Sequence, residues 1–197
     1  MQMAVTTGYV ARPYPGETLC GDVGARWDLP GRCVLALADG LGHGPKAHHA
    51  ALRAMDCIAE NLQRDCAGIF AACNEQLRHT RGAVLAVAVI DLFSNLLTLG
   101  SIGNIRCTVW TPARDVRLGS GRGIVGAGFQ WSLPDEMPLA HGDTLLLFSD
   151  GVDEGADLHA CHTSGTVSPQ QLAQNVVSQW ARADDDASVL VYQHAQA

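Results

Sequence analysis

The chain has 197 residues, of which 47% are hydrophobic and 17% are charged, and its mean hydropathy is +0.07. This composition excludes a disordered chain and a membrane protein, and the length suits one domain, residues 1–197, around a single large core. The net charge is −7, and the 13 Lys and Arg residues are scattered rather than clustered with aromatic residues. We therefore expect no nucleic-acid-binding surface, whereas an acidic chain suits divalent cations.

The sequence favours a cytoplasmic protein. Residues 1–10 lack a basic start and a long apolar run, and no stretch of about 18 apolar residues is present to cross a membrane. We therefore predict a protein that does not enter a membrane. The seven cysteines include no C-x-x-C pair. We interpret them as reduced, buried side chains rather than as zinc ligands or disulfides.

Hydrophobic periodicity predicts strands and helices in the first half of the chain. A strand over 3–10 is followed by a loop rich in Gly and Pro, and then by a buried strand over 33–38 that ends in Asp39-Gly40. Apolar residues at helical spacing predict a helix over 45–62, with Pro45 at its first position. A second helix is predicted over 66–77 and is expected to pack against the first.

The second half of the chain is predicted to be mostly β. Three β-rich segments joined by short turns are predicted to form an antiparallel meander: 83–91, 95–101 and 105–111. A glycine-rich stretch over 115–138 is expected to hold short strands and a mobile loop. A strand, a helix and a last strand follow, at 144–149, 169–181 and 188–192. Because strands outnumber helices without regular alternation, we predict an α+β layered fold.

Four aspartates stand where a predicted strand meets a turn. They are Asp22, Asp39, Asp150 and Asp185. Asp and Gly are common turn residues, so a turn alone explains any one of these positions. As a set, however, carboxylates at strand ends from distant segments can converge on one sheet edge, where they repel one another unless divalent cations neutralise them. The set therefore predicts a site for hard cations.

The segment between the second predicted strand and the first helix is also informative. It reads Asp39-Gly40-Leu41-Gly42-His43-Gly44-Pro45, with three glycines at alternate positions. Glycines allow unusual backbone dihedral angles and close approach, and they leave backbone carbonyls available as hard oxygen ligands.

In order and spacing, four segments resemble the motifs of SpoIIE-type serine phosphatases, which belong to the PPM superfamily of metal-dependent phosphatases. The segments are Gly21-Asp22, Ala38-Asp39-Gly40-Leu41-Gly42-His43-Gly44, Phe148-Ser149-Asp150-Gly151-Val152 and Asp185-Asp186-Ala187-Ser188-Val189-Leu190-Val191. Two further segments are similar to the stand-alone RsbX-like members, namely Arg81-Gly82-Ala83 and Ile102-Gly103-Asn104. The resemblance spans nearly the whole chain.

The resemblance implies an αββα sandwich, in which two antiparallel sheets are flanked by helices, with two Mn²⁺ or Mg²⁺ ions at one end of the sheets. It implies that Asp39 bridges both ions, that Asp22 and the Gly40 carbonyl hold one, and that Asp150 and Asp185 hold the other. Asp39 and Asp150 are then essential for catalysis. Two such ions activate a water for in-line attack on a phosphoester, without a phosphorylated enzyme.

The resemblance to RsbX-like phosphatases also implies a substrate. It predicts phosphoserine or phosphothreonine on a small STAS-domain regulator of stress or sigma-factor signalling. The glycine-rich segment 119–128 is a candidate for the rim that contacts this partner, although an ordinary surface loop explains it as well.

The sequence differs from the wider superfamily at two functional positions. Leu41 occupies the position where eukaryotic-type members carry a histidine proposed as general acid, and His43 is the nearest alternative. The arginine that binds phosphate in those relatives is missing before Asp22, which leaves Arg12 and Arg26 as candidates or as ordinary surface residues.

Two other functions compete with the phosphatase hypothesis. A non-catalytic binding module of the same fold predicts the loss of at least one ligand position, but all four aspartates are present. An ATP-binding fold of the histidine-kinase and anti-sigma-factor kind fits the Asp39-Gly40-Leu41-Gly42 segment only loosely. It also requires an Asn-rich helix upstream, which the sequence lacks.

Overall fold

The computed structural model describes residues 6–157 and 167–195. Over these residues the chain forms three helices, α1 (Pro45–Glu60), α2 (Cys66–Leu77) and α3 (Pro169–Trp180). It also forms twelve strands. In chain order they are β1 (Thr6–Arg12), β2 (Asp22–Leu29), β3 (Arg32–Gly40), β4 (Ala83–Asp91), β5 (Leu96–Ile102), β6 (Arg106–Trp110), β7 (Asp115–Leu118), β8 (Arg122–Ile124), β9 (Gly128–Gln130), β10 (Asp135–Pro138), β11 (Thr144–Phe148) and β12 (Ala187–Gln193).

Ten of these strands form two five-stranded antiparallel sheets. Sheet I has the order β10-β5-β4-β3-β2, and sheet II has the order β1-β12-β11-β6-β7. The inner faces of the two sheets pack on each other through one hydrophobic cluster that includes Leu35, Leu37, Leu147 and Leu190. Alternate residues of β3, such as Val34, face the other way and are also buried. Burial on both faces explains the unbroken apolar run that predicted this strand.

Helices cover the outer faces of both sheets. α1 and α2 pack on sheet I, where Ile58 and Phe70 share a buried cluster with Val34. α3 packs on sheet II, where Val176 lies in a cluster with Val189. The predicted α+β fold, an αββα sandwich, is therefore confirmed.

The packing of α1 on sheet I positions the end of β3. The helix begins at Pro45, and its buried face is rich in alanine, so the helix backbone can approach the sheet closely. A Cβ atom on Gly40 would lie 2.0 Å from the backbone oxygen of Ala47. Only glycine fits at this contact, so the helix fixes where the Asp39-Gly40 segment leaves the sheet.

The helix predictions are confirmed to within two residues at each end, but β2 was missed. The sequence predicted a Gly- and Pro-rich loop where β2 lies. β2 is an edge strand of sheet I and most of its side chains are half-buried. Its apolar residues do alternate and pack towards the helices, at Val23, Ala25, Trp27 and Leu29. The residues between them are Gly, Arg and Asp, and because Gly and Asp are rare in strands and common in turns, the segment resembled a loop. The first predicted strand begins at residue 3, and residues 3–5 lie outside the described part.

The predicted three-stranded meander is wrong. β4 and β5 pair as expected, but β6 pairs with β11 and β7 in sheet II. The turn between β5 and β6 contains Gly103, whose φ of 100° is strained for other residues, and there the chain crosses from one sheet to the other. Cys107, Thr108 and Val109 are all buried, so the sequence of β6 suits either sheet.

The glycine-rich stretch contains the short strands that the sequence predicted, β7 to β10. The β8–β9 hairpin is tied to sheet I, because the Ala83 N–H donates to the Val125 carbonyl at 3.0 Å and the reverse bond measures 2.9 Å. The Gly121 N–H also donates to the Ser101 carbonyl at 2.8 Å. Since Ala83 pairs with Gly40 in sheet I, the hairpin stands at the Gly40 end of that sheet.

Among the described residues, no helix has the length and apolarity that crossing a membrane requires. Six cysteines lie in the described part as free thiols, and all but Cys20 are buried. This fits the interpretation of cysteines as small core residues, while Cys161 lies outside the described residues.

We predict that Leu35→Ala lowers the free energy of unfolding by about 2–5 kcal/mol, because it leaves a cavity between the two sheets. Leu35 is fully buried, whereas Leu52 on α1 is 41% exposed. Leu52→Ala is the matched control and is expected to change stability by less than about 0.5 kcal/mol. Urea unfolding followed by circular dichroism measures both. Equal losses for the two variants would contradict the packing of the sheets.

Candidate metal centre

Two of the aspartates are brought together by the pairing of β2 with β3. Asp22 is the first residue of β2 and Asp39 is the second-last residue of β3. Because the strands are antiparallel, the start of one meets the end of the other, and Asp22 stands directly opposite Asp39. The Gly40 N–H donates to the Gly21 carbonyl at 3.1 Å and extends this pairing past the strand end.

The other aspartates are brought together in sheet II in the same way. β11 and β12 are antiparallel neighbours, and the Ser149 N–H donates to the Ser188 carbonyl at 3.1 Å beyond the end of β11. Asp150 follows β11, and Asp185 precedes β12. A Cβ atom on Gly151 would lie 1.8 Å from the Asp186 carbonyl oxygen, so only glycine lets these two segments approach so closely.

The two pairs of aspartates influence one another's pKa values. The pKa of Asp39 is raised to about 9, first by burial and then by negative charge on four neighbours. Those neighbours are Asp22, Asp150, Asp185 and Asp186. The pKa of Asp185 is also raised, first by burial and then by the charge of Asp150. Carboxylates from four separate segments therefore lie close enough to disfavour one another's charge.

Some of the buried carboxylate oxygens in this cluster have no hydrogen-bond partner in the described part of the chain. Within the described residues, neither carboxylate oxygen of Asp22 has a hydrogen-bond partner, nor does Oδ2 of Asp186. Burial raises the pKa of Asp22 to about 6, and the negative charges of Asp186 and Asp150 act in the same direction. Oδ1 of Asp186 accepts a 2.8 Å hydrogen bond from the Tyr14 N–H. Buried carboxylate oxygens without partners are unstable unless a cation compensates them.

The donor set fits hard divalent cations. It consists of carboxylate and carbonyl oxygens, which are the ligands that Mg²⁺ and Mn²⁺ prefer. Across residues 6–157 and 167–195, no three His, Cys, Asp or Glu side chains already stand in the arrangement that holds a metal ion. Asp22, Asp39, Asp150 and Asp185 would be the carboxylates to hold such ions.

Asn104 is a site residue to which the sequence analysis assigned no role. Its side-chain Nδ2 donates to Oδ2 of Asp150 at 2.7 Å and fixes the orientation of that carboxylate. Beside them lies a cavity of about 640 Å³, lined by Asn104, Asp150, Arg106, Arg182, Asp153 and Glu154. The only sequence signal for Asn104 was its place in the Ile102-Gly103-Asn104 segment.

His43, the alternative general acid, lies on the loop that follows Gly40. Its Nδ1 is 3.0 Å from Oε1 of Glu17, and its ring stacks on Tyr14 with centroids 4.3 Å apart. These contacts orient the ring, and its side chain is 52% exposed. A role in protonating a leaving group stays a prediction.

The two arginines that the sequence suggested for phosphate binding make other contacts. Arg12 donates to the Arg182 carbonyl, which fixes the segment before Asp185. Arg26 donates to Asp28 at 2.8 Å and to Thr7 at 3.1 Å. It also lies four residues along β2 from Asp22, a distance of roughly 13 Å at about 3.3 Å per residue. Neither guanidinium group therefore faces the aspartates as a free donor.

Sequence comparisons relate this chain to known proteins. The family model described as Stage II sporulation protein E (SpoIIE) matches residues 30–195. Phosphoserine phosphatase RsbX of Bacillus subtilis (strain 168) is 28% identical over 98 residues, which are 50% of this chain and 49% of that protein. The chain thus matches about half the length of this curated relative.

Structural comparisons cover almost the whole chain. A protein from a study of the bacterial stressosome, a modular system adapted to control secondary messenger signalling, superposes with a TM-score of 0.90. It is 30% identical, and the match covers 96% of this chain and 99% of that one. RsbX in complex with magnesium superposes with a TM-score of 0.84 at 20% identity, over 98% and 97% of the two chains. The second match shows a shared fold.

In metal-free protein, we predict that Asp39→Asn raises the melting temperature at pH 8 and changes it little at pH 4. The pKa of Asp39 rises from 3.8 to about 9 on folding, so the folded chain keeps a proton that the unfolded chain releases. Stability of the unmodified protein therefore falls between about pH 4 and pH 9. Asn carries no such proton, and its gain at pH 8 should exceed about 1 kcal/mol, the equivalent of roughly one pKa unit.

Thermal melts in the presence of a chelator at both pH values measure this difference. Asp56→Asn, on the exposed face of α1, is the matched control and should follow the unmodified protein at both pH values. A lower melting temperature for Asp39→Asn at pH 8 would show that the carboxylates do not repel one another.

Proposed function

Because the chain belongs to the Stage II sporulation protein E (SpoIIE) family, we propose that it is a metal-dependent protein serine/threonine phosphatase. One observation supports this most directly. Carboxylates from four distant segments lie near one another at one end of the sheets, and the buried oxygens of Asp22 and Oδ2 of Asp186 have no hydrogen-bond partner among the described residues. Such an arrangement is costly for a purely structural cluster but suits a centre for divalent cations.

We propose the following ligands for two Mn²⁺ or Mg²⁺ ions. Asp39 would be shared by both ions, Asp22 and the Gly40 carbonyl would hold one, and Asp150 and Asp185 would hold the other. When bound, such ions activate a water and stabilise the negative charge that develops on the phosphoryl group. Asn104 orients Asp150 through its 2.7 Å hydrogen bond.

The architecture explains why these ligands belong to different sheets. Asp22 and Asp39 come from sheet I, and the segments carrying Asp150 and Asp185 come from sheet II. A phosphoryl group at the shared end of the sheets can therefore be reached from both sides. No side chain has to be phosphorylated in such a hydrolysis.

The substrate that we propose is phosphoserine or phosphothreonine on a STAS-domain regulatory protein of a stress or sigma-factor pathway in the cytoplasm. The relative RsbX is a phosphoserine phosphatase, and a similar structure comes from a study of the bacterial stressosome. The β8–β9 hairpin, bonded to Ala83 at the Gly40 end of sheet I, is well placed to contact a protein partner. We take residues 1–197 as one SpoIIE/RsbX-like domain.

We predict that hydrolysis of a chromogenic phosphoester requires free Mn²⁺ or Mg²⁺, because only oxygen ligands are available and they release such ions readily. Chelation should abolish turnover, and added Mn²⁺ should restore it. Asp39→Asn and Asp150→Asn should abolish turnover with the fold intact, whereas Asp56→Asn should keep it. Full activity after exhaustive chelation would contradict the proposal, and absence of turnover in every metal would favour a non-catalytic binding module.

We also predict that a phosphorylated STAS protein from the same organism is hydrolysed with a kcat/KM at least about tenfold above that of a phosphopeptide. Contacts away from the phosphate need to supply only about 1.4 kcal/mol for this preference. A small phosphoester is the third substrate in the comparison. Equal values for all three would count against a dedicated protein partner while leaving the phosphatase activity in place.

A further inference from the structure

Arg81 lies across the loop that follows Gly40. Its Nη1 donates to the Leu41 carbonyl at 3.3 Å. The backbone beneath it is Gly42, whose φ is 86°, and a Cβ atom there would lie 2.6 Å from the same Nη1. Glycine at this position therefore makes room for the guanidinium group to lie flat on the loop.

This loop is fixed with respect to the aspartates. The Leu41 N–H donates to the Gly82 carbonyl at 3.1 Å, and Gly40 pairs with Ala83 in sheet I. On the other side, the Gly42 carbonyl lies 3.3 Å from where a Cβ atom of Gly21 would stand, next to Asp22. The two residues that follow Arg81 are therefore bonded to the segment that follows Asp39, and this holds the backbone of Arg81 in place.

The guanidinium group of Arg81 has unused donors. The side chain is exposed, and in the described part of the chain it makes one hydrogen bond and no ion pair. Arginine has five N–H donors in a planar fork, which matches the oxygens of a phosphate. Most of these donors therefore remain available to a ligand.

The other arginines close to the aspartates are engaged. Arg106 stacks on Phe148, with its guanidinium carbon 4.7 Å from the ring centroid, and it donates to the Val152 carbonyl. Arg182 lies 3.6 Å from a carboxylate oxygen of Asp184. Of these three arginines, only Arg81 has neither an ion pair nor an aromatic contact in the described part of the chain, and it lies on the loop that follows Gly40.

We propose that Arg81 binds the phosphoryl oxygens of the substrate and so supplies the contact that the missing arginine before Asp22 would have made. This inference rests on the proposed phosphatase function. The guanidinium group donates two hydrogen bonds to the phosphate, and the loop carbonyl of Leu41 holds the group in position. The role is recognition of the phosphate dianion, and no covalent step passes through Arg81.

Two measurements on the Mg²⁺-loaded protein test this assignment. One is the Kd of inorganic phosphate by calorimetry, and the other is the kcat/KM for a chromogenic phosphoester. Arg81→Ala should weaken phosphate binding and lower kcat/KM by about tenfold to a hundredfold, the range expected for a charge-assisted pair. Arg81→Lys should recover only part of the loss, because an ammonium group cannot form the two-pronged contact.

Controls separate binding from folding. Arg78→Ala removes an exposed arginine that pairs with Glu75 at 2.8 Å beyond the end of α2, and it should leave both measurements unchanged. The Kd of Mg²⁺ and the melting temperature should also stay unchanged in Arg81→Ala. Loss of Mg²⁺ binding in that variant would show that Arg81 supports the metal centre instead, and would overturn the assignment.

The outcomes also distinguish this inference from the proposed function. If the unmodified protein hydrolyses phosphoesters and Arg81→Ala keeps the same kcat/KM and phosphate Kd, the Arg81 assignment is wrong and the phosphatase function stands. If the unmodified protein shows no turnover, the phosphatase proposal fails. The phosphate Kd of the two proteins then still decides whether Arg81 binds phosphate.

Discussion

Repulsion between carboxylates is the constraint on which the rest of this structure depends. Each of the two sheets brings aspartates to its end, and the pKa of Asp39 is raised because it is buried among the others. In water these groups would separate, so the backbone must hold them together. Strand pairing does this within each sheet, where Asp22 stands opposite Asp39 and Ser149 bonds to Ser188. The hydrophobic core between the sheets then holds the two pairs near each other.

Close backbone contacts complete this restraint. Gly40 contacts the first turn of α1, and Gly151 contacts the carbonyl of Asp186, each at a distance that excludes a Cβ atom. Both glycines come directly after an aspartate of the site. Turn formation is therefore not the only reason for glycine in the two Asp-Gly pairs. Glycine is also needed because another backbone segment passes at contact distance.

The sequence was sufficient where local pattern decides the structure. The bounds of α2 and β4 and the aspartates at strand ends followed from periodicity and turn residues. Edge strand β2 was missed although its apolar residues alternate, because its Gly and Asp residues are typical of turns. Other features depend on contacts between distant segments. The three central residues of β6 are all buried, so nothing local indicates that this strand joins sheet II. The roles of Asn104 and Arg81 depend on which side chains the fold brings beside them, and a single sequence does not contain that information.

The distance between the two pairs of aspartates is set by the thickness of the layer between the sheets. Leu35, Leu37, Leu147 and Leu190 lie in that layer as part of the core between the sheets. Packed sheets are spaced by the size of the side chains between them. The spacing between the two pairs of candidate metal ligands therefore depends on the size of these leucine side chains. Substitutions in the core can thus change metal affinity although the core residues take no part in catalysis.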